Sequence, residues 1–285
     1  LPHSQGKRIP LLDVLQSLSL FLLPLFLFLL FSLYGVCVDS YKPVIIVHGI
    51  FDGPQQFQNL SRFIKKVHPG TEVTVIDLYD DLLSLQPLWK QVPDFRQSFN
   101  SIMKNAPDGV HLLCFSQGAP AMNLILSSYS TDTDYLQKVF HKTLKKNVHF
   151  ICYNKLGQKV SICDYWNDPH QRLSYLRNNI FLPLLNGERP HTWRENFLQI
   201  EKLVLIGGPD DGVITPWQSS HFGFYDSSEN VVEMQKQEFY LNDAFGLKTL
   251  DQRGDLVTCV HSGVKHTTWH SNFTVFRNCM EKWLT

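Results

Sequence analysis

The chain has 285 residues, length enough for one large domain with a substantial core. Its 26 basic and 26 acidic residues cancel to a formal net charge of zero, and no block of like charge stands out. That balance argues against general nucleic-acid binding, which needs a clustered basic surface. A hydrophobic fraction of 44% with 13% aromatics fits a globular chain able to line an apolar pocket.

The N-terminal segment reads differently from the rest. Lys7 and Arg8 precede Leu18–Leu33, a run of little but Leu and Phe, and small residues follow at Gly35, Val36 and Cys37. This is the pattern of a secretory signal over residues 1–37. The run is long for a signal core and also suits an uncleaved anchor, but Pro24 within it and the small residues behind it favour cleavage. Residue 1 is leucine rather than methionine, which leads us to expect further residues ahead of it. No other stretch reaches the length of a spanning helix, so the mature chain is expected to carry no stable membrane span. The sequons Asn59-Leu60-Ser61 and Asn272-Phe273-Thr274 become candidate glycosylation sites on this route. Its oxidising compartments let cysteines pair. Of the six, Cys152 with Cys163 and Cys259 with Cys279 are natural local pairs, and loss of Cys37 with the signal leaves Cys114 over.

Beyond residue 41 strands alternate with helices. "KPVIIVHG" (42–49) is a continuous β-branched run closed by glycine, the mark of a buried parallel strand, and "TEVTVIDL" (71–78) is a second. Leu88, Val92, Phe95, Phe99, Ile102 and Met103 recur at helical spacing behind Pro87, which suits a first turn. "VHLLCFS" (110–116), "EKLVLIGG" (201–208) and "DLVTCV" (255–260) are further strands, and residues 271–284 predict a closing amphipathic helix. The alternation implies an α/β fold with a mostly parallel sheet, one domain over 41–285. At about 132–199 the pattern gives way to an aromatic-rich insertion, either a lid or groove wall or loops with a small core of their own.

In such sheets the reactive groups gather at the C-terminal ends of strands. The third strand ends at Ser116 in "CFSQG". The fourth ends in "GGPDDG" with Asp210 and Asp211, and the fifth leads to "HSGVKHTTWH" with His261, His266 and His270. The order Ser, Asp, His is that of the α/β-hydrolases. A serine hydroxyl needs an imidazole to take its proton, and the imidazole needs a carboxylate to hold its tautomer. Small residues on either side let the serine's turn close, here relaxed to C-x-S-x-G. The amide of Gln117 and an amide of "HGIFDG", with Ile50 the candidate, would hold an oxyanion. From the residues alone, Asp210 or Asp211, and any of the three histidines, fill the remaining roles. Asp210 also suits a plain turn beside Pro209, His261 a strand end, and His270 a helix cap or the surface.

"KPVIIVHGIFD", "HLLCFSQG", "LVLIGGPDDGVITPWQSSHFGFY" and "KHTTWHSN" together resemble the lysosomal palmitoyl-protein thioesterases, their type 2 branch above all, over about 41–283. The resemblance implies an α/β-hydrolase fold with helices on both faces of the sheet. It places the nucleophile at Ser116, the acid at Asp211, the base at His266 and the oxyanion donors at Ile50 and Gln117. Both cysteine pairs match family disulfides. It further implies lysosomal delivery through glycan sorting and hydrolysis of long-chain acyl thioesters, acyl-CoA more readily than palmitoylated proteins, because a loop narrows access to the groove. No cofactor is required and no metal-ligand spacing is evident. A free imidazole titrates near ~6.5, so activity is expected to fall with acidity unless the site perturbs the base. The triad itself does not separate thioesterase from lipase or carboxylesterase; only the resemblance does.

One stretch departs from the family. After Gly118 its members have a second glycine, a full helix and another parallel strand, and the disulfide partner of Cys114 lies there. Here the 13 residues "APAMNLILSSYST" stand in their place, enough for about three helical turns and no strand. A parallel sheet without that inner strand is expected to leave backbone groups and apolar surface unpaired. A skipped exon or misassembled gene of an active enzyme is the preferred account. A poorly folding isoform and a non-catalytic acyl-binding relative are the others.

Overall fold

The computed structural model describes residues 41–121, 147–189 and 193–285. The signal-like segment, much of the shortened stretch after Gly118 and residues 132–146 of the insertion lie outside them. Residues Tyr41–Thr285 form one compact unit.

The β-branched run of residues 42–49 forms β1 (Val44–Val47), all four residues buried. Alternate side chains of a strand leave by opposite faces. Val44 and Ile46 join Phe57, Leu60 and Ile64 with Phe276 and Leu284 from the C-terminal end. Ile45 and Val47 join Ile76, Leu88, Phe95 and Phe99 in a second, larger core. The first set includes α1 (Gln58–Val67) and the second includes α2 (Leu88–Met103), so helices cover both faces of this strand. Pro87 is the N-cap of α2 rather than within its first turn. Beside β1 lie β2 (Val73–Val75) and β3 (His111–Cys114), both parallel, in the order β2-β1-β3.

After β3 comes a short α3 (Gly118–Ala121). The described part of the insertion folds as short helices: α4 (Val148–Cys152), α5 (Ser161–Asp164), α6 (Arg172–Asn178), α7 (Leu182–Leu185) and α8 (Arg194–Phe197). Its buried aromatics Tyr153, Trp166, Tyr175 and Phe181 share the core of Ile45, Val47 and Leu88 instead of building a separate one. Cys152 and Cys163 form a disulfide that closes this segment on itself.

The remaining strands are β4 (Leu203–Gly207), a two-residue hairpin of β5 (Phe224–Tyr225) and β6 (Val231–Val232), and β7 (Leu256–Val260). Between β6 and β7 lie α9 (Glu238–Leu241) and α10 (Leu247–Gln252). β4 pairs with β7 in parallel, in register from Leu203↔Leu256 to Gly207↔Val260. The end of the chain is helical as expected but changes geometry twice. α11 (Phe273–Val275) passes into a π turn at Phe276–Met280 and a 3-10 turn at Glu281–Trp283. Cys279, in the π turn, is bonded to Cys259 of β7.

Among the described residues the parallel strands fall into two groups, β2-β1-β3 and β4-β7. Among the described residues β3 pairs only with β1, and β4 only with β7. The chain leaves β3 into the shortened stretch, most of which lies outside the described residues. Along β3 only partial burial is reached, and Leu112 is 38% exposed. No helix among the described residues is long and apolar enough to cross a membrane.

Candidate active site

Ser116 stands two residues beyond β3 with φ +50, a left-handed conformation that a residue with a side chain rarely holds. Phe115 N–H still donates to Val47 O (3.0 Å), and the chain then turns at once into α3. The turn closes because Gly118 packs directly on β1. A Cβ there would lie 2.6 Å from His48 O and 2.7 Å from Val47 O. Gly49 is as tightly placed, since its Cβ would meet Ser116 Cβ at 2.8 Å. Cys114, the unusual leading residue of the motif, has no disulfide partner among the described residues, and burial pushes its thiol up to about 12.

His266 reaches this serine from the other sheet. Its Nε2 lies 3.0 Å from Ser116 Oγ, and its Nδ1 lies 2.9 Å and 3.1 Å from the two oxygens of Asp211. Asp211 follows β4, and His266 opens the 3-10 helix His266–Ser271 that follows β7. Residues three apart eclipse on a 3-10 helix, so Trp269 faces the same way as His266. Its Nε1–H donates to Asp211 Oδ2 at 2.7 Å. Val213 and Ile214 N–H donate to Oδ1 at 3.0 and 2.8 Å, and His266 N–H donates to the Asp211 carbonyl at 2.9 Å. Burial pushes the Asp211 carboxyl up. Hydrogen bonds and charge from His266, with the Ile214 and Trp269 donors, outweigh it and hold the group below the ordinary carboxylate range.

The residues that the motifs left open separate here. Asp210 takes the turn role: its Oδ2 accepts from Gly263 N–H at 2.7 Å and ties the loop of Asp211 to the loop of His266. His261 Nδ1 faces only the Ser262 carbonyl at 2.9 Å. His270 neither caps a helix nor lies at the surface. It is buried between Phe57 and Phe115, with ring centroids at 4.7 and 5.1 Å, and burial pushes its pKa down against the charge of Asp52. The reason is long-range: the 3-10 helix turns this ring inward against a phenylalanine over 200 residues earlier.

Gln117 follows Ser116 and Ile50 follows Gly49, whose Cβ would meet Ser116, and among the described residues no acceptor takes either amide hydrogen. His48 fixes the strand end beneath them, with Nδ1 2.9 Å from Gly49 O and Nε2 3.0 Å from Leu78 O. The carboxyl of Asp52 also approaches, since its Oδ2 would lie 3.2 Å from a Cβ on Gly49. Burial pushes it up, opposed by the charges of His270, His48 and His266. Sequence reasoning missed Asp52 and Trp269, although both lie inside the quoted motifs. Among the described residues no cluster of three or more His, Cys, Asp or Glu is arranged to hold a metal ion. Of the sequons, Asn59 is exposed on α1. Asn272 is half-buried and caps α11, its Oδ1 accepting from Thr274 and Val275 N–H at 2.9 and 3.2 Å.

Comparison with known proteins agrees in range with this layout. The family described as palmitoyl protein thioesterase matches residues 43–266, a span that includes Ser116, Asp211 and His266. The chain is 50% identical to the lysosomal thioesterase PPT2 of Rattus norvegicus over 307 aligned residues, covering 100% of both chains. It is 49% identical to the lysosomal thioesterase PPT2 of Homo sapiens, covering 98% of each. It is 35% identical to the lysosomal thioesterase PPT2 homolog of Drosophila melanogaster, covering 86% of this chain and 92% of that one. The rat alignment is longer than this chain of 285 residues and so carries gaps on this side.

Proposed function

The chain belongs to the palmitoyl protein thioesterase family, and from that premise we propose that it is a lysosomal serine hydrolase of long-chain acyl thioesters, built on an α/β-hydrolase fold. One observation carries the reading: the unbroken chain of contacts from Ser116 Oγ through the His266 ring to Asp211.

In this mechanism Ser116 Oγ attacks the thioester carbonyl carbon while His266 Nε2 takes its proton. Asp211 steadies the imidazolium through Nδ1. The amides of Ile50 and Gln117 receive the charge that develops on the carbonyl oxygen. The C–S bond breaks, the proton on His266 passes to the departing sulfur, and the acyl group stays on Ser116. A water then attacks the acyl-enzyme with His266 as base, and the free acid leaves. Two unpaired amides beside a strained, base-coupled serine are what such a pair of steps needs. The residues require neither metal nor organic cofactor.

The relatives' names support lysosomal delivery. The exposed sequon at Asn59, with the second at Asn272, supplies glycan attachment points for sorting. A signal at 1–37 would start that route. A purely acyl-binding, non-catalytic form is disfavoured, because the shortened stretch has not separated the three residues. The full-length glycoprotein should release thiol from palmitoyl-CoA, and a fluorophosphonate should stop it by modifying Ser116 stoichiometrically. Thiol release that continues after full modification, or an adduct on another residue, would overturn the assignment.

A further inference from the structure

Behind the site a buried polar node joins four segments, and the reaction scheme above makes no use of it. Its centre is Ser84, in the 3-10 turn Asp81–Leu85 and 1% exposed. The hydroxyl accepts from Phe51 N–H at 2.9 Å and donates to the Asp81 carbonyl. The Ser84 carbonyl receives three side chains: Gln117 Nε2 at 2.7 Å, Ser161 Oγ at 2.8 Å and Gln91 Nε2 at 2.9 Å. Ser161 Oγ also lies 2.8 Å from Gln117 Oε1. Gln91, Gln117 and Ser161 are all buried.

The Phe51 amide belongs to the peptide that follows Ile50, so fixing it fixes the orientation of the loop that presents the Ile50 N–H. Gln117 carries the other oxyanion amide on its own backbone. Ser84 therefore touches both walls of the hole from behind, one through its hydroxyl and one through its carbonyl. The loop needs such a hold. Phe51 has φ +57, and Asp81, whose carbonyl accepts from the Ser84 hydroxyl, has φ +48. Non-glycine residues stay in that region only where surrounding contacts over-determine them. Asp81 N–H, donating to Asp52 O at 3.0 Å, is a second strap on the same loop.

We propose that Ser84 is the positioning residue of the oxyanion hole, locking the Ile50 loop and Gln117 to one buried point, and that Ser161 ties this point to the disulfide-closed Cys152–Cys163 segment. The proposal rests on the assignment of Ser116 as nucleophile with Ile50 and Gln117 as oxyanion donors. Ser84 touches no reacting atom; it acts through the two amides.

The test is Ser84→Ala in the full-length glycoprotein, with two ligands beside the kinetics. A long-chain alkyl trifluoromethyl ketone forms a tetrahedral adduct on Ser116 and so reads the hole, whereas a non-hydrolysable acyl-CoA thioether reads ground-state binding alone. Displacement of the donors by a fraction of an ångström should lower kcat about 10–100-fold, with KM and thioether affinity within about twofold. Affinity for the ketone should fall by the same factor as kcat. Unchanged kcat and ketone affinity would overturn the proposal, as would parallel loss of ketone and thioether affinity, which marks general damage to the groove. If Ser84→Ala yields no folded protein, Ser161→Ala decides on the same readouts. A loss of about 3–10-fold in kcat and ketone affinity is then expected, and wild-type values would refute the node. Failure of the underlying assignment shows separately, in wild-type protein that forms no ketone adduct at Ser116.

Discussion

Asp211→Asn should lower kcat for palmitoyl-CoA by about 10⁴-fold with KM little changed. The direction follows from which atom each donor uses. Oδ1 is fixed as an acceptor by the Val213 and Ile214 amides, so an asparagine keeps its oxygen there. Its NH₂ then occupies the position of Oδ2, facing Trp269 Nε1–H and His266 Nδ1. Two donors meet at Trp269, and His266 is driven to the tautomer with its hydrogen on Nε2. That nitrogen can no longer accept the proton of Ser116. The fold should survive, because the hydrogen bonds that shape the loop run to Oδ1 and to the backbone. Steady-state rates with purified variant check this, and a loss below about tenfold would remove Asp211 from the triad.

The second large effect concerns stability against pH. Asp164 is wholly buried in α5, beside the Cys163 bridge, where Oδ2 accepts from Leu88 N–H at 2.7 Å at the start of α2. Among the described residues no cationic side chain forms an ion pair with it, and burial pushes its carboxyl up to about 7. An unfolded aspartate titrates near ~3.9. Between these values the native carboxyl keeps its proton while the unfolded one has released it, so raising the pH through this window favours unfolding. About 2–3 kcal/mol should be lost between roughly pH 5 and pH 7.5. Half-buried His111 and buried His221 and His270, all pushed down chiefly by loss of hydration, act in the opposite sense as the pH falls. The comparison must therefore be with Asp164→Asn, which stays neutral throughout and keeps the acceptor for Leu88. The variant should melt roughly 6–10 °C above the wild type near pH 7.5, and the gap should shrink towards pH 5. A gap of the same size at both values would mean that Asp164 is ionised in the native protein throughout. Asp164 by itself thus contributes more stability in acid than near neutral pH.

Much of the scaffold was legible because burial on both faces writes a continuous apolar run, as at Val44–Val47. Strand ends were less so: β1 and β3 each stop two residues short of their motifs, where the chain turns towards Gly49 and Ser116, while β7 runs to the end of its own. The hairpin Phe224–Tyr225 with Val231–Val232 has two residues a side, too few to show alternation. Ser116 could be singled out from its motif, whereas Asp210 and Asp211 are equivalent by position. They part only because one accepts from Gly263 and the other from His266, contacts made across two loops. Ser84 was invisible for a different reason. "LLSLQP" reads as an ordinary turn, and most of the node uses the serine's backbone carbonyl, which any residue would offer. The closing helix was foreseen as regular, yet it widens to a π turn where Cys279 is bound to β7.

The divided sheet has a mechanical consequence. Ser116 hangs from β3, while Asp211 and His266 follow β4 and β7. Backbone ladders resist shear, but among the described residues no ladder crosses this seam. The contact between Ser116 and His266 joins the two groups of strands and works as a gauge of their relative position. A slip of a single ångström between the halves would unload it while leaving every strand and helix in place. Mild denaturant should thus silence the enzyme before the far-ultraviolet circular dichroism changes.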